Sequence, residues 1–381
     1  MQLPKSSAIL ALAILSANAL PAAYPAAVEQ RGLFDDIQIT DDLIIFDSPA
    51  FPDPNNPGNT LVQLQSFASL RQIDLGVVSS AVSAFLGTLG VDIGDSLNTL
   101  QERIRLLGAI GLPGKSATIS VPGCANEVET GETSGLPNLG MSIATASLGD
   151  CGSATELSGT ASLTFLDNRK ISGSIFASPD LGFGVISDID DTVKISNVLD
   201  TVELIKSTLL DEPKAVPGMP ELYTSLAASL NKPQFVYITG SPFQLFPFLN
   251  DFLDSAYSTA KGPIFTQNLT VIDPVQAIQF ITNSNTQAYK VSQIDRLQAM
   301  YPNKKWLAIG DSTQKDPEVY AEAFNKGVAI SCAWIRRVDG ADNSAERFAA
   351  AFAGVPADKF RVFTDAEIPA LANINVAGGE C

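Results

Sequence analysis

Three carboxylates follow one short apolar segment in the middle of the chain. The segment Phe183–Ser187 is predicted to be a buried strand of a parallel sheet, and Asp188, Asp190 and Asp191 come directly after it. Like charges this close repel one another, and burying them without partners is costly. A hard cation such as Mg²⁺, which prefers oxygen ligands, relieves that cost. The alternative is an acidic turn without a ligand.

Polar residues also follow the next two confidently predicted strands. Thr239 follows one of them, Asp311 and Asp316 follow the other, and Lys290 begins a helical pattern between the two. The carboxyl ends of parallel strands meet at one edge of a sheet, where open α/β sheets bind substrates. We therefore expect these side chains to converge on one pocket.

Such a pocket suits phosphoryl transfer through an aspartyl intermediate. Asp188 is the candidate nucleophile, and Asp190 is the candidate that protonates the leaving alcohol and then activates water. Thr239 is expected to hydrogen-bond a phosphoryl oxygen, and Lys290 to place a fixed positive charge beside the transition state.

The expected cofactor is Mg²⁺. Its candidate ligands are Asp188, Asp190 through the backbone carbonyl, and Asp311, with Asp316 as an accessory ligand or orienting group.

Each of the downstream residues also has a structural interpretation. Thr239 suits a cap at a strand end, Lys290 suits a solvated helix surface, and Asp311 and Asp316 both suit helix N-caps. Their joint order, each at a strand end or a helix start, favours the site.

Four segments together resemble the App1-type phosphatidate phosphatase catalytic domain of the haloacid dehalogenase superfamily: 185–194, 216–219, 237–245 and 310–320. The resemblance covers roughly residues 181 to 340. It implies a Rossmann-like sheet, Mg²⁺ dependence and hydrolysis of phosphate monoesters, with the motif positions falling on Asp188, Asp190, Thr239, Lys290 and Asp311. Thr313-Gln314 departs from it, because the family usually has Gly-Glu there.

The pattern of elements changes near residues 178–181. Beyond it, strands at 183–187, 234–238, 305–309 and 328–335 alternate with helical patterns, which predicts an α/β fold with a doubly wound parallel sheet over 181–381. Residues 35–180 are predicted to form a β-rich, sandwich-like accessory domain with a helical insertion. Strand candidates there include 37–39 and 43–46, and the Pro- and Gly-rich stretch 49–58 is predicted to be a loop.

The N-terminus has the pattern of a secretory signal. Lys5 precedes the apolar run Ala8 to Leu15 and the small residues Ala17 and Ala19. We expect a signal peptide over 1–19, a propeptide or linker over 20–34, and a secreted, extracellular protein. No other stretch is long and apolar enough to span a membrane.

Composition excludes several classes of function. The 381 residues include no histidine, which excludes Ser-His-Asp catalysis and His-ligated zinc. The formal net charge of −17 argues against a nucleic-acid partner.

Four cysteines in an exported chain predict two disulfides. We favour Cys124–Cys151 and Cys332–Cys381 among the three pairings, because each pair falls within one predicted domain.

The sequence thus predicts a Mg²⁺-dependent phosphatase acting on phosphatidate or a related lipid phosphate. Alternatives are a phosphatase for soluble monoesters and a binding protein with a vestigial site. The loop 194–199 and the aromatic segment 243–248 are candidates for contacts with an apolar substrate tail, although the aromatic rings also suit ordinary core packing. The oligomeric state stays open.

Overall fold

The computed structural model describes residues 36–71, 76–163, 167–269, 274–283 and 286–381. Its strands form two sheets, one of eight strands in the N-terminal half and one of six in the C-terminal half. The expected signal peptide and linker lie outside the described residues. No helix among the described residues is long and apolar enough to cross a membrane.

The C-terminal sheet is parallel throughout. In spatial order its strands are β11, β10, β9, β12, β13 and β14. Their bounds are β9 (Phe183–Ser187), β10 (Gln234–Pro242), β11 (Ile264–Gln267), β12 (Lys305–Asp311), β13 (Ile330–Arg336) and β14 (Phe360–Phe363). The predicted parallel α/β sheet is confirmed. β11 and β14 escaped prediction because each is only four residues long and lies at an edge.

Helices cover both faces of this sheet, because alternate residues of each central strand point to opposite sides. Val185 packs into an apolar cluster on one face of the sheet, whereas its neighbour Ile186 packs into a second cluster on the other face. The helices of this half are α3 (Thr201–Leu209), α4 (Met219–Ser229), α5 (Phe246–Ala256), α6 (Pro274–Asn283), α7 (Gln287–Met300), α8 (Asp316–Asn325), α9 (Ala345–Ala351) and α10 (Ile368–Leu371).

The N-terminal sheet differs from the predicted sandwich. Its strands are β1 (Asp41–Ile45), β2 (Ser48–Pro52), β3 (Thr60–Leu70), β4 (Thr118–Ser120), β5 (Val128–Glu129), β6 (Met141–Gly149), β7 (Glu156–Ser162) and β8 (Ser172–Ala177). They form one curled sheet rather than two packed sheets. Backbone bonds from Asn126 to Leu148 and from Ser134 to Met141 join the segments around β5 to β6, so the two ends of the sheet meet. These bonds replace the free edges that a sandwich would leave.

Some predictions of single elements in the N-terminal half were right and others were wrong. The segment Leu43–Phe46 belongs largely to β1, and the predicted helical insertion is observed as α1 (Gly76–Thr88) and α2 (Leu97–Ile104). Two predictions were wrong. Residues 37–39 form no strand, and the stretch 49–58 was predicted as loop although β2 runs through its first part. Because proline is rare within sheets, Pro49 and Pro52 favoured the prediction of a loop over that of a strand.

The two sheets share apolar packing. Phe46 and Phe67 of the N-terminal half contact Phe246 and Phe243, with ring centroids 4.8 and 4.6 Å apart. The Tyr301 hydroxyl donates to the Ala50 carbonyl at 2.9 Å. The N-terminal sheet therefore packs directly against the C-terminal half.

Both predicted disulfides are formed. Cys124 is bonded to Cys151 in the N-terminal half, and Cys332 of β13 is bonded to Cys381. The second bond fixes the last residue of the chain against the parallel sheet.

Asp47 provides a test of how burial affects stability. Its carboxylate is 6% exposed and accepts the Ser174 N–H at 3.2 Å. Burial raises its pKa from 3.8 to about 7. Between these two values the folded state retains a proton that the unfolded state has lost, so Asp47 makes the protein less stable as the pH rises.

We expect Asp47→Asn to flatten this dependence, since its amide oxygen can still accept the Ser174 N–H without a charge. The free energy of unfolding in urea, measured at pH 5 and pH 8, should differ between the two pH values by roughly 1–3 kcal/mol less than in the wild type. Asp358→Asn, at a side chain 76% exposed, is the control and should change little. Equal pH dependence in the wild type and Asp47→Asn would contradict the assignment.

Candidate active site

The site lies at the carboxyl edge of the parallel sheet, where β9 ends. Asp188 is 1% exposed, and its backbone N–H donates to the Ile309 carbonyl of the neighbouring β12 at 2.9 Å. The end of β9 is thus tied to the strand that carries Asp311, and the two aspartates lie on the same edge.

Three buried carboxylates converge there. Ligand oxygens of Asp188, Asp311 and Asp316 all lie within 4.8 Å of one another. The Thr192 hydroxyl lies between the first two, 3.1 Å from Asp188 Oδ2 and 3.2 Å from Asp311 Oδ2. An all-oxygen set of this kind fits a hard divalent cation such as Mg²⁺.

One residue supplies positive charge to this group. Lys290 Nζ lies 2.6 Å from Asp188 Oδ1 and 2.5 Å from Asp316 Oδ1, and the side chain is only 2% exposed. The alternative of a solvated helix residue is therefore excluded. One ammonium cannot neutralise three carboxylates, so the cluster keeps an excess of negative charge that a cation would balance.

The pKa values of two of these carboxylates are raised. Burial raises the pKa of Asp188 well above its ordinary value, against the opposing effect of Lys290. Burial, with Asp316 next in importance, raises the pKa of Asp311 to about 7. Both shifts are the response expected of buried carboxylates that share a single cation.

Asp190 lies in a separate polar shell. Its Oδ1 accepts the Ser196 hydroxyl at 2.6 Å and lies 3.4 Å from Lys194 Nζ, while its Oδ2 accepts the hydroxyls of Thr239 at 3.0 Å and Ser241 at 3.1 Å. Burial alone would raise the pKa of Asp190, but Lys194 and the three hydroxyl donors hold it below the ordinary value. The side chain of Asp190 is not part of the three-carboxylate cluster.

Asp191 shapes the loop that provides this shell. It adopts a left-handed φ of 56°, and its carboxylate accepts the backbone N–H groups of Ser196, Asn197 and Val198 at 2.7–2.8 Å. Arg336 donates to the Asp191 carbonyl at 2.6 Å. Asp191 therefore holds the loop in place rather than serving as a ligand.

The loop after β12 is fixed as tightly. The Asp311 Oδ1 atom accepts both the backbone N–H and the hydroxyl of Thr313 at 2.5 Å, and the Asp311 N–H donates to Asp316 Oδ2. A Cβ on Gly310 would lie 2.5 Å from the Asp316 Cβ, so only glycine allows Asp316 to approach. Asp316 is the first residue of α8 and makes no side-chain cap, which excludes its N-cap interpretation.

The structure brings all six predicted site residues to one edge, in two groups. Asp188, Lys290, Asp311 and Asp316 form one, and Asp190 with Thr239 forms the other. Thr239 contacts Asp190 in this state rather than standing free, and its catalytic role stays a prediction.

Four contributors were missed. They are Thr192, Lys194, Ser196 and Ser241. Each lies within eight residues of a predicted site residue. Closeness to a motif in the sequence was therefore the one feature that could have indicated them.

The aromatic segment after Thr239 packs mainly inward. Phe243 and Phe246 are buried in the apolar core against Phe46. Phe248 instead lines a cavity of about 480 Å³ between α2 and α5, with its ring 4.1 Å from the Arg103 guanidinium. Core packing is therefore the correct interpretation for two of the three rings.

Residues 183–337 match the protein family described as Phosphatidate phosphatase APP1, catalytic domain. The predicted App1-type resemblance is confirmed. The chain is also 28% identical, over 148 residues, to Phosphatidate phosphatase APP1 of Saccharomyces cerevisiae, which covers 38% of this chain and 24% of that protein. Over 147 residues it is 25% identical to an uncharacterized protein of Schizosaccharomyces pombe, covering 37% and 22%. The chain thus spans about a quarter of the length of these relatives, and the App1-type segment contains every site residue described above.

Asp191→Asn tests the role of the loop. An amide offers a single acceptor oxygen, so at least one of the three loop N–H groups loses its partner and Lys194 and Ser196 shift away from Asp190. We expect kcat for a phosphate monoester to fall by roughly 10- to 100-fold, as displaced catalytic groups generally cause. Asp200→Asn is the matched control, since Asp200 caps α3 at the far end of the same loop and asparagine caps equally well. Unchanged turnover in Asp191→Asn would contradict the positioning role.

Proposed function

We propose that this protein is a Mg²⁺-dependent phosphatase that hydrolyses phosphate monoesters through an aspartyl-phosphate on Asp188. The observation that carries the proposal is the cluster of Asp188, Asp311 and Asp316 around Lys290, at the end of the first strand of a parallel sheet. The match of this segment to a phosphatidate phosphatase family supports the reaction class.

In the first step, a carboxylate oxygen of Asp188 attacks the phosphorus atom and the ester oxygen leaves. The leaving alkoxide takes a proton from the Asp190 carboxyl group. In the second step, Asp190 removes a proton from water, the resulting hydroxide attacks phosphorus, and the Asp188 carboxylate is released with inorganic phosphate. Asp190 ends the cycle protonated, as it began.

Asp190 must carry a proton for the first step, although its surroundings favour the ionised form. A bound phosphate group would shift Asp190 toward its protonated form, because a like charge nearby disfavours the ionised carboxylate. The Thr239 and Ser241 hydroxyls, which donate to Asp190 here, can turn toward a phosphoryl oxygen. Substrate binding and protonation of Asp190 are therefore coupled in this proposal.

Asp188, Asp311 and Asp316 are the residues that would hold Mg²⁺, together with the Asp190 carbonyl. When bound, the ion would neutralise charge on the phosphoryl oxygens. Lys290 would provide a second positive charge and, through its contacts with Asp188 and Asp316, keep the nucleophile oriented.

The fold type and location are part of the same proposal. Taken in chain order, the parallel strands run 3-2-1-4-5-6, the order of a classic doubly wound sheet, which supports a haloacid dehalogenase type of domain. The N-terminal signal pattern and the two disulfides support a secreted, extracellular protein.

The proposed substrate is phosphatidate or a related lipid phosphate, with soluble monoesters as the alternative. Similarity to a protein named phosphatidate phosphatase supports the lipid. A second feature favours it as well. Leu199, at the end of the loop held by Asp191, is apolar yet 51% exposed near the catalytic edge.

Asp188→Asn and Asp190→Asn test the chemistry. We expect Asp188→Asn to abolish Mg²⁺-dependent turnover of a generic phosphate monoester, because an amide does not attack phosphorus. Asp190→Asn should retain substrate binding but lower kcat by about 100-fold or more, which is the usual contribution of a general acid–base group. Thermal unfolding of both variants is the control for folding. Wild-type activity in either variant would overturn that residue's role.

Chelation tests the cofactor. We expect EDTA to abolish turnover and added Mg²⁺ to restore it. In the absence of substrate, Mg²⁺ should raise the unfolding temperature of the wild type, because ligands that bind only the folded state stabilise it. Asp311→Asn should lose that stabilisation. Turnover that persists in EDTA would refute the metal dependence.

Leu199→Ser tests the lipid assignment. We expect it to raise KM for phosphatidate in mixed micelles, by loss of apolar contact worth on the order of 1–2 kcal/mol, and to leave KM for a small soluble monoester unchanged. Leu181→Ser is the matched control, since Leu181 is 69% exposed but precedes β9 at the opposite edge of the sheet. Equal effects of Leu199→Ser on both substrates would favour the soluble-monoester alternative.

A further inference from the structure

A second cavity, of about 280 Å³, lies where the N-terminal sheet meets α7. One wall is formed by β3, β6 and the loop before β6, and the other by the end of β11 and by α7. Among its described lining residues, Arg296 is the single charged side chain, and none is acidic. We call it the Arg296 cavity.

The Arg296 guanidinium has only neutral partners. Its Nε donates to Gln63, one of its terminal nitrogens donates to Gln293 Oε1 at 3.1 Å, and the group lies 4.4 Å above the Phe265 ring. No described carboxylate forms an ion pair with it. Burial lowers the pKa of Arg296 to about 10, which leaves it charged at neutral pH. Arg296 is half-buried. A partly desolvated cation without a counter-ion is costly, and an anion would reduce that cost.

Other donors line the same cavity. Thr266 is 4% exposed, and its hydroxyl has no hydrogen-bond partner among the described residues. Burial raises the pKa of Tyr289, so its phenol keeps its proton and is available as a donor. A cation and two hydroxyl groups around one space are the donor set that binds an oxyanion.

This cavity is separate from the catalytic edge. Tyr289, Gln293 and Arg296 follow helical spacing and share one stripe of α7. Lys290, one residue on from Tyr289, belongs to the stripe that faces the sheet, and its ammonium is held by Asp188 and Asp316. A ligand beside Arg296 would therefore lie on a different side of the helix.

We propose that the Arg296 cavity is a second anion site that binds a phosphate group, either free or as the headgroup of a phospholipid. The guanidinium pairs with the phosphate oxygens, and the Thr266 and Tyr289 hydroxyls donate to the remaining ones. Apolar Ile143, which lines the cavity and is 57% exposed, would meet the attached carbon chain of a lipid.

Calorimetric titration of the full chain with inorganic phosphate in EDTA tests the site. Without a metal, the catalytic carboxylates repel phosphate, so the Arg296 cavity should account for saturable binding. Arg296→Gln should weaken that binding roughly tenfold or more, and Arg296→Lys should restore part of it. Arg105→Gln, at an exposed arginine paired with Asp42, is the matched control. If Lys290→Gln abolished the binding instead, the anion would belong to the catalytic site and the proposal would fail.

Vesicles distinguish the two sources of phosphate. Sedimentation with phosphatidylcholine vesicles, with and without phosphatidate, should show binding that depends on phosphatidate and on Arg296 if the ligand is a headgroup. Binding of soluble phosphate without vesicle binding assigns the site to free phosphate. No saturable binding of either kind, or equal affinity in the wild type and Arg296→Gln, would overturn the proposal. Thr266→Val and Tyr289→Phe provide the same test if Arg296→Gln does not fold.

The result is independent of the proposed phosphatase activity. An inactive protein that binds phosphate through Arg296 would support the second site while refuting the catalytic proposal. An active enzyme without Arg296-dependent phosphate binding would support the catalytic proposal and refute the second site.

Discussion

The burial of like charges at one edge of a parallel sheet is the constraint on which the rest of this structure depends. Asp188, Asp311 and Asp316 lie close together and almost fully excluded from water. Folding alone would favour separating them or replacing them with apolar residues, since unpaired buried charge is destabilising. The surrounding elements are arranged instead to keep them together. Lys290 extends from α7 to contact Asp188 and Asp316, and Gly310 leaves the space in which Asp316 approaches.

The same edge divides into two electrostatic environments. Around Asp188, carboxylates outnumber cations, and burial together with the neighbouring carboxylates raises the pKa values. Around Asp190, one ammonium and three hydroxyl groups face a single carboxylate, and the pKa falls. Two aspartates only two residues apart thus differ in pKa because Lys194 and three hydroxyl groups stabilise the charged form of Asp190, whereas burial dominates at Asp188. Divergent environments of neighbouring carboxylates are typical of sites that use one as a nucleophile and the other as an acid and base.

The convergence of these residues could be predicted from the sequence because it follows from a general rule. Residues after parallel strands meet at one edge, so Asp188, Thr239 and Asp311 could be grouped from strand positions alone. The hydroxyl shell of Asp190 could not be predicted in the same way, because the contact of Ser196 depends on how a six-residue loop folds back. The N-terminal sheet was harder still. Its curling depends on backbone bonds between β6 and the segments around β5, and two-residue strands such as β5 carry almost no periodic signal. The aromatic residues after Thr239 show a related limit, since the burial of Phe243 depends on Phe67, which comes from the other half of the chain.

Helix α7 contacts both the N-terminal sheet and the carboxylates at the edge of the parallel sheet. One stripe of this helix directs Lys290 to the carboxylates and Ile294 and Leu297 into the apolar layer on the parallel sheet. The next stripe directs Arg296 toward Gln63 of β3, and Tyr301 just beyond the helix donates to the Ala50 carbonyl of β2. The N-terminal sheet therefore contacts the same helix that carries Lys290. It is in this sense a second support for α7, in addition to the packing of the helix on the parallel sheet.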